Sequence, residues 1–120
     1  MNILYVFLGA GIGGVLRYLI SLQLNKPTAA LPVGTILVNI LGCFIAGLLL
    51  CFALKNNLQE NLRLFFIVGI LGGFTTFSAF GMETISLLQN NHVGLATTNI
   101  LLSLSGLLFT YTGYLLAQKL

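Results

Sequence analysis

Charge is what this chain lacks. Only 6% of its 120 residues are charged, against about a quarter in ordinary globular domains, so a water-facing surface cannot be covered. Apolar side chains fill the deficit at 58% of the total, and the mean hydropathy is +1.04. Such a composition belongs to an integral membrane protein. A spanning helix takes about 20 residues, so the length predicts four of them, with little beyond and no attached soluble domain. The five Lys and Arg are spread over ends and loops, which excludes the basic patch of a nucleic-acid surface. His92 is the lone histidine and no Cys/His cluster offers a metal site. No nucleophile–base pair of the kind an enzyme needs is visible either. Cys43 and Cys51 fall on one expected helix with Cα atoms about 12 Å apart. That is too far to bridge, and they read as packing residues. Basic residues are also missing ahead of the first apolar run, where Arg17 is the first positive side chain. The first helix is therefore expected to be retained rather than removed as a signal.

The expected spans are 3–24, 32–54, 62–88 and 94–117. The first contains Gly9-Ala10-Gly11-Ile12-Gly13-Gly14, which imitates a dinucleotide-binding turn but lacks the acidic residue required about 20 positions on. Its glycines instead form a G-x-x-x-G ridge, Gly9 and Gly13, for close approach of a neighbouring helix. Arg17, inside the end of this span, is either a snorkelling anchor or a fixed positive charge at the mouth of an aqueous vestibule. Pro32 opens the second span, where a missing N–H costs nothing. Thr35, Asn39, Gly42 and Ala46 then follow at helical spacing and make one small, polar face. Asn39 can donate to an anion or bond across to another helix. In the fourth span Asn99, Ser103, Gly106, Thr110 and Gly113 make a second such stripe. Two polar stripes in so small a membrane protein point to a polar pathway.

The third span carries the most unusual stretch, Gly72-Gly73-Phe74-Thr75-Thr76-Phe77-Ser78-Ala79-Phe80. Two glycines and three hydroxyls at mid-span predict an interrupted helix, tolerated at that depth only where it lines a cavity or is buried in protein. The interruption is expected at Gly72-Gly73, exposing carbonyls suited to a cation and amide donors suited to an anion. Thr75 or Thr76 can cap the second half. Phe74, Phe77 and Phe80 recur every three residues. Their rings serve either as lipid and core contacts or, edge-on, as weak sites for an anion. Glu83, the one acidic residue inside a span, is either a carboxylate in a hydrated end region or a proton or cation site. Loop charge favours neither orientation strongly. Lys55, Arg63 and Lys119 lie on the side of both termini, with Lys26 opposite and Arg17 near it. Four helices enclose little space, and an antiparallel pair of copies is the economical way to complete a pathway.

Gly34-Thr35-Ile36-Leu37-Val38-Asn39-Ile40-Leu41-Gly42 together with Gly72-Gly73-Phe74-Thr75-Thr76-Phe77-Ser78 resembles the Fluc (CrcB) family of fluoride channels over essentially the whole chain. The resemblance implies an all-α membrane protein whose four transmembrane helices, the third broken near the midplane, pair as an antiparallel, dual-topology homodimer in the inner (plasma) membrane. It implies passive, selective fluoride conduction that lowers intracellular fluoride, with no enzymatic activity. A structural Na+ at the dimer centre would be held by the backbone carbonyls of Gly72 and Thr75. The fluoride pore would be lined by Asn39, Thr76, Phe77, Ser78, Phe80 and Ser103, with Arg17 near a vestibule, and Glu83 and Thr110 have no assigned part. Asn99 departs from the aromatic residue many relatives carry there. Two other functions compete with this one. A small proton-coupled multidrug-type transporter would have to use Glu83, since the first span has no carboxylate. A non-transporting membrane subunit would not require the polar stripes.

Overall fold

The computed structural model describes residues 1–120, and every regular element in it is helical. Helix α1 (Asn2–Leu24) and helix α2 (Val33–Asn56) are joined by a short polar loop. Helix α3 (Glu60–Arg63) runs directly into a π-helical segment, Leu64–Leu71, and then helix α4 (Gly72–Phe74). After Thr75 and Thr76 come α5 (Phe77–Gln89), α6 (Val93–Leu104) and α7 (Gly106–Lys119). Four rods, Asn2–Leu24, Val33–Asn56, Glu60–Gln89 and Val93–Lys119, are long and apolar enough to cross a membrane. Only 20 of the 120 residues are buried, so most apolar side chains face lipid or a partner.

The α1–α2 joint is held by one side chain. The Asn25 main-chain N–H closes α1 onto the Ser21 carbonyl at 2.8 Å, while its side-chain Oδ1 accepts from Gly34 N at 2.7 Å. Pro32 stands in the N-cap position of α2 and has no side-chain oxygen to offer. Asn25 therefore caps that helix from eight residues upstream of its first residue. At the other end of α2, Asn57 takes a left-handed conformation (φ 45, ψ 54) that asparagine tolerates better than most residues. The Lys55 ammonium donates to the carbonyls of Ala117 and Gln118 at 3.1 and 2.8 Å, covering the C-terminal end of α7.

Apolar burial cannot hold helices together in lipid, so close backbone approach must. Gly9 and Gly13 of α1 face Gly69 and Gly73, a second pair four residues apart. A Cβ on Gly9 would fall on the Phe65 carbonyl oxygen, one on Gly13 on that of Ile70, and one on Gly73 on Ala10. The same device joins α2 to α7. A Cβ on Gly47 would meet the Thr110 carbonyl, and one on Gly113 that of Phe44. These obstacles are backbone atoms, which cannot rotate away. Gly13→Ala and Gly47→Ala are therefore expected to destabilise the fold by about 1–3 kcal/mol or more. Gly94→Ala, where a Cβ meets nothing within 4 Å, should be neutral. Thermal unfolding in detergent, followed by loss of the monodisperse peak, checks the contrast.

Candidate functional site

Thr75 and Thr76 are extended, at φ −79, ψ 152 and φ −147, ψ 119. The glycine pair is not where the chain leaves the helix: Gly72 and Gly73 are helical, Gly72 with φ −61 and ψ −36. The departure comes two residues later, where a partner is available. Asn39 of α2 lies against Thr76, its Oδ1 accepting from the Thr76 N–H at 2.8 Å and its Nδ2 donating to the Thr76 carbonyl at 2.9 Å. This is the pairing an adjacent strand would supply, delivered by one carboxamide. Three further bonds secure the joint. Thr75 Oγ1 donates to the Leu71 carbonyl at 3.0 Å, Arg17 Nη1 donates to the Thr75 carbonyl at 3.3 Å, and Ala79 N donates to Thr76 Oγ1 at 3.2 Å. The last makes Thr76 the N-cap of α5.

Beside the joint lies a cavity of about 170 Å³ lined by Asn39, Cys43, Thr76, Phe77, Phe80, Ser103 and Leu104. Five of the six residues assigned to a pore by resemblance meet here. Ser78 is the sixth, and it is exposed and reaches the site only through a 3.3 Å contact between its Oγ and Thr76 Oγ1. The Phe77 and Phe80 rings lie 5.3 Å apart, inclined at 52°. Phe77 is 82% exposed, available to whatever completes this wall. Phe74 is different. It is buried in the core beneath Gly42, because the extended joint between Phe74 and Phe77 cancels the three-residue periodicity of the rings. With both Asn39 amide atoms engaged at Thr76, one Nδ2 proton remains free, and the Ser103 hydroxyl has no partner. The cavity wall thus brings two neutral polar side chains, Asn39 and Ser103, together with two aromatic rings and carries no full charge, a combination suited to a small anion.

Other candidates lie elsewhere. Arg17 is bound to the joint through Thr75. Thr110 turns its hydroxyl back to the Gly106 carbonyl at 3.0 Å and serves the α2–α7 contact. Glu83 Oε1 accepts from Thr35 Oγ1 at 2.6 Å, Thr35 in turn accepting from Asn25 Nδ2 at 3.3 Å, and Glu83 Oε2 is buried without a partner. It borders a separate cavity of about 240 Å³ with Asn25, Pro32 and Ser86. Cys43 and Leu104 are the lining residues that sequence reasoning missed, although the position of Cys43 four after Asn39 puts both on one helix face. Losing the Thr76 hydroxyl removes the cap of α5. Thr76→Val is expected to cost about 0.5–2 kcal/mol and Thr76→Ser almost nothing, measured as above.

Comparison with known proteins matches residues 4–114 to the model of the CrcB-like protein, Camphor Resistance (CrcB) family. The chain is 44% identical to the fluoride-specific ion channel FluC of Flavobacterium psychrophilum, covering 99% of this chain and 98% of that one. It is 41% identical to the protein of that name from Azobacteroides pseudotrichonymphae, covering 98% and 96%. Against the one from Clostridium perfringens it is 43% identical over 98% and 94%. Near-complete coverage of both partners at this identity leaves no room for a shared fragment alone: this chain belongs to the CrcB family.

Proposed function

We propose that this protein is a fluoride-selective channel that conducts the anion passively, lowers fluoride inside the cell and catalyses no reaction. The observation that carries this reading is the uncharged cavity where Asn39, Thr76, Phe77, Phe80 and Ser103 converge, in a chain whose relatives are named fluoride-specific channels. Fluoride is the smallest halide and a strong hydrogen-bond acceptor. Neutral donors and ring edges bind it without trapping it, as conduction requires. Those names favour a channel over a proton-coupled exchanger working through Glu83.

The functional unit is an antiparallel, dual-topology homodimer in the inner membrane, its third helix broken near the midplane. Supporting the second copy are the cavity's open wall at Phe77, the scarcity of buried residues and the small charge bias between the two sides. A structural Na+ at the centre would use the Gly72 carbonyl and the second lone pair of the Thr75 carbonyl, whose first accepts from Arg17 Nη1. In an unbroken helix the Thr76 N–H would bond the Gly72 carbonyl; it goes to Asn39 instead, and nothing stands within 4 Å of a Cβ built on Gly72. Gly72 and Thr75 would hold the ion through backbone oxygens, the ligands a hard cation takes, with the second copy supplying the rest. Bound, it would neutralise carbonyl ends that face each other.

Passive efflux from liposomes tests the function. Purified protein should release fluoride as soon as a potassium ionophore compensates charge, with chloride retained. Phe77→Ile and Phe80→Ile should each stop that flux while the dimer persists. Retained fluoride in the wild type, or unchanged flux in both variants, would contradict the reading. The pairing has its own test. A single terminal tag should be reached from both faces of the membrane, and one-sided labelling would refute dual topology. Thr75→Val should keep the central ion, because the ligand is main chain; a well-ordered dimer structure without central density would exclude it.

A further inference from the structure

A groove of about 510 Å³ opens between α2 and the first half of the third rod and shares no residue with the cavity at Asn39. Its volume falls in the range of about 300–1,000 Å³ typical of ligand sites. Leu50, Ala53, Leu54 and Asn57 form one wall, and their helical spacing puts them on a single face of α2 that rises about 10 Å from first to last. Glu60, Arg63 and Ile67 belong to the other wall. The two ends are unlike. Leu50 and Val68, both about half exposed, make the end towards mid-span, while Asn57, Glu60 and Arg63 gather where the rods meet their loop.

The apolar length alone selects nothing. Lipid tails are as apolar as leucine, so an acyl chain gains little by lying against Leu50 and Leu54 rather than against its neighbours. Discrimination has to come from the polar end. There Glu60 and Arg63 are exposed and line the groove with opposite charges one helical turn apart, with no ion pair between them. Beside them α2 closes with the Asn57 and Leu58 N–H groups both on the Ala53 carbonyl, which leaves the last carbonyls of the helix without main-chain donors. Those carbonyls and the Glu60 carboxylate favour a cation. The Arg63 guanidinium favours a phosphate, which it can grip through two parallel N–H donors. A ligand that satisfies this end carries both signs a few bonds apart, on an apolar tail.

We propose that this groove is a lipid site selective for a phospholipid whose headgroup joins a phosphate to a primary ammonium, as in phosphatidylethanolamine. The phosphate sits on Arg63, the ammonium donates to Glu60 and the end of α2, and one acyl chain lies along Leu54, Leu50 and Val68. Charge complementarity decides against other lipids of the same chain length. A choline headgroup has no N–H to donate, and a glycerol headgroup leaves Glu60 facing a lipid of net negative charge. Lipid retention reads this site without any measurement of fluoride flux.

The test is native mass spectrometry of the full-length dimer after exchange into phosphatidylethanolamine, phosphatidylcholine or phosphatidylglycerol with identical acyl chains. The wild type should hold the ethanolamine lipid about tenfold more tightly than either of the others, the scale of one charge-assisted hydrogen bond. Successive N-methylation of the headgroup should erode that advantage. Glu60→Gln should abolish the preference and leave the choline lipid unaffected, Arg63→Gln should weaken all three, and Ala53→Phe, which fills the groove, should release all three with no change of charge. Equal retention of the three lipids by the wild type, or a preference that survives Glu60→Gln, would overturn the proposal. So would a photoreactive group in place of Leu54 that captures the second copy instead of lipid, because the groove would then be a protein contact. Should a charge variant not fold, the N-methylation series on the wild type decides: retention that does not fall as N–H donors are lost refutes the site.

Discussion

Two hydrogen bonds between the Asn39 carboxamide and the Thr76 main chain are the constraint on which the rest of this structure depends. An extended pair of residues within a membrane-spanning rod leaves backbone donors and acceptors open, and in lipid each costs several kcal/mol. Asn39 closes the Thr76 N–H and carbonyl together. Thr75 is secured by Leu71 and Arg17, and α5 can restart with Thr76 as its cap. Once the chain restarts there, the Phe77 and Phe80 rings face the cavity on the α2 and α6 side, while Phe74 stays in the core. One asparagine thus supports the local fold and also lines the site.

That arrangement needs rods whose backbones nearly touch, and glycine provides them. Gly9 and Gly13 meet Gly69 and Gly73, and Gly47 and Gly113 let α2 lie against α7. The close contact brings Arg17 within reach of the Thr75 carbonyl. Around this frame, side chains bond across rods in short relays: Asn25 to Thr35 to Glu83, and Asn99 to Thr84 to Phe80. Each relay ends on α5, so the helix that carries the ring residues is tied on two sides.

Much of this was legible in the sequence for a simple reason: hydropathy and helical spacing are local properties. They reveal the apolar rods, the Gly9–Gly13 ridge and the polar faces containing Asn39 and Ser103. The position of the extended residues was displaced. Glycine in a helix interior costs only about 1 kcal/mol, so Gly72 and Gly73 remain helical, and the chain opens where Asn39, 37 residues away, can replace the lost bonds. A partner so distant leaves no mark in local spacing. Separations of 48 and 15 residues likewise hid Thr35 opposite Glu83 and Thr84 opposite Asn99. Periodicity also misled for the aromatic residues, because counting in threes assumes one continuous helix from Phe74 to Phe80. Membership in the CrcB family explains why the third-rod stretch and the Asn39 region were the recognisable parts, since these are the segments that build the cavity.

The most direct measurement is fluoride efflux from liposomes carrying Asn39→Leu, a change that keeps the volume and removes both bonds to Thr76. If the carboxamide holds the joint open and lines the path, fluoride release should fall to the level of empty liposomes, with chloride still retained. Fluoride efflux equal to that of the unaltered protein would contradict the account, because the joint and the path would then stand without the one side chain on which both are said to depend.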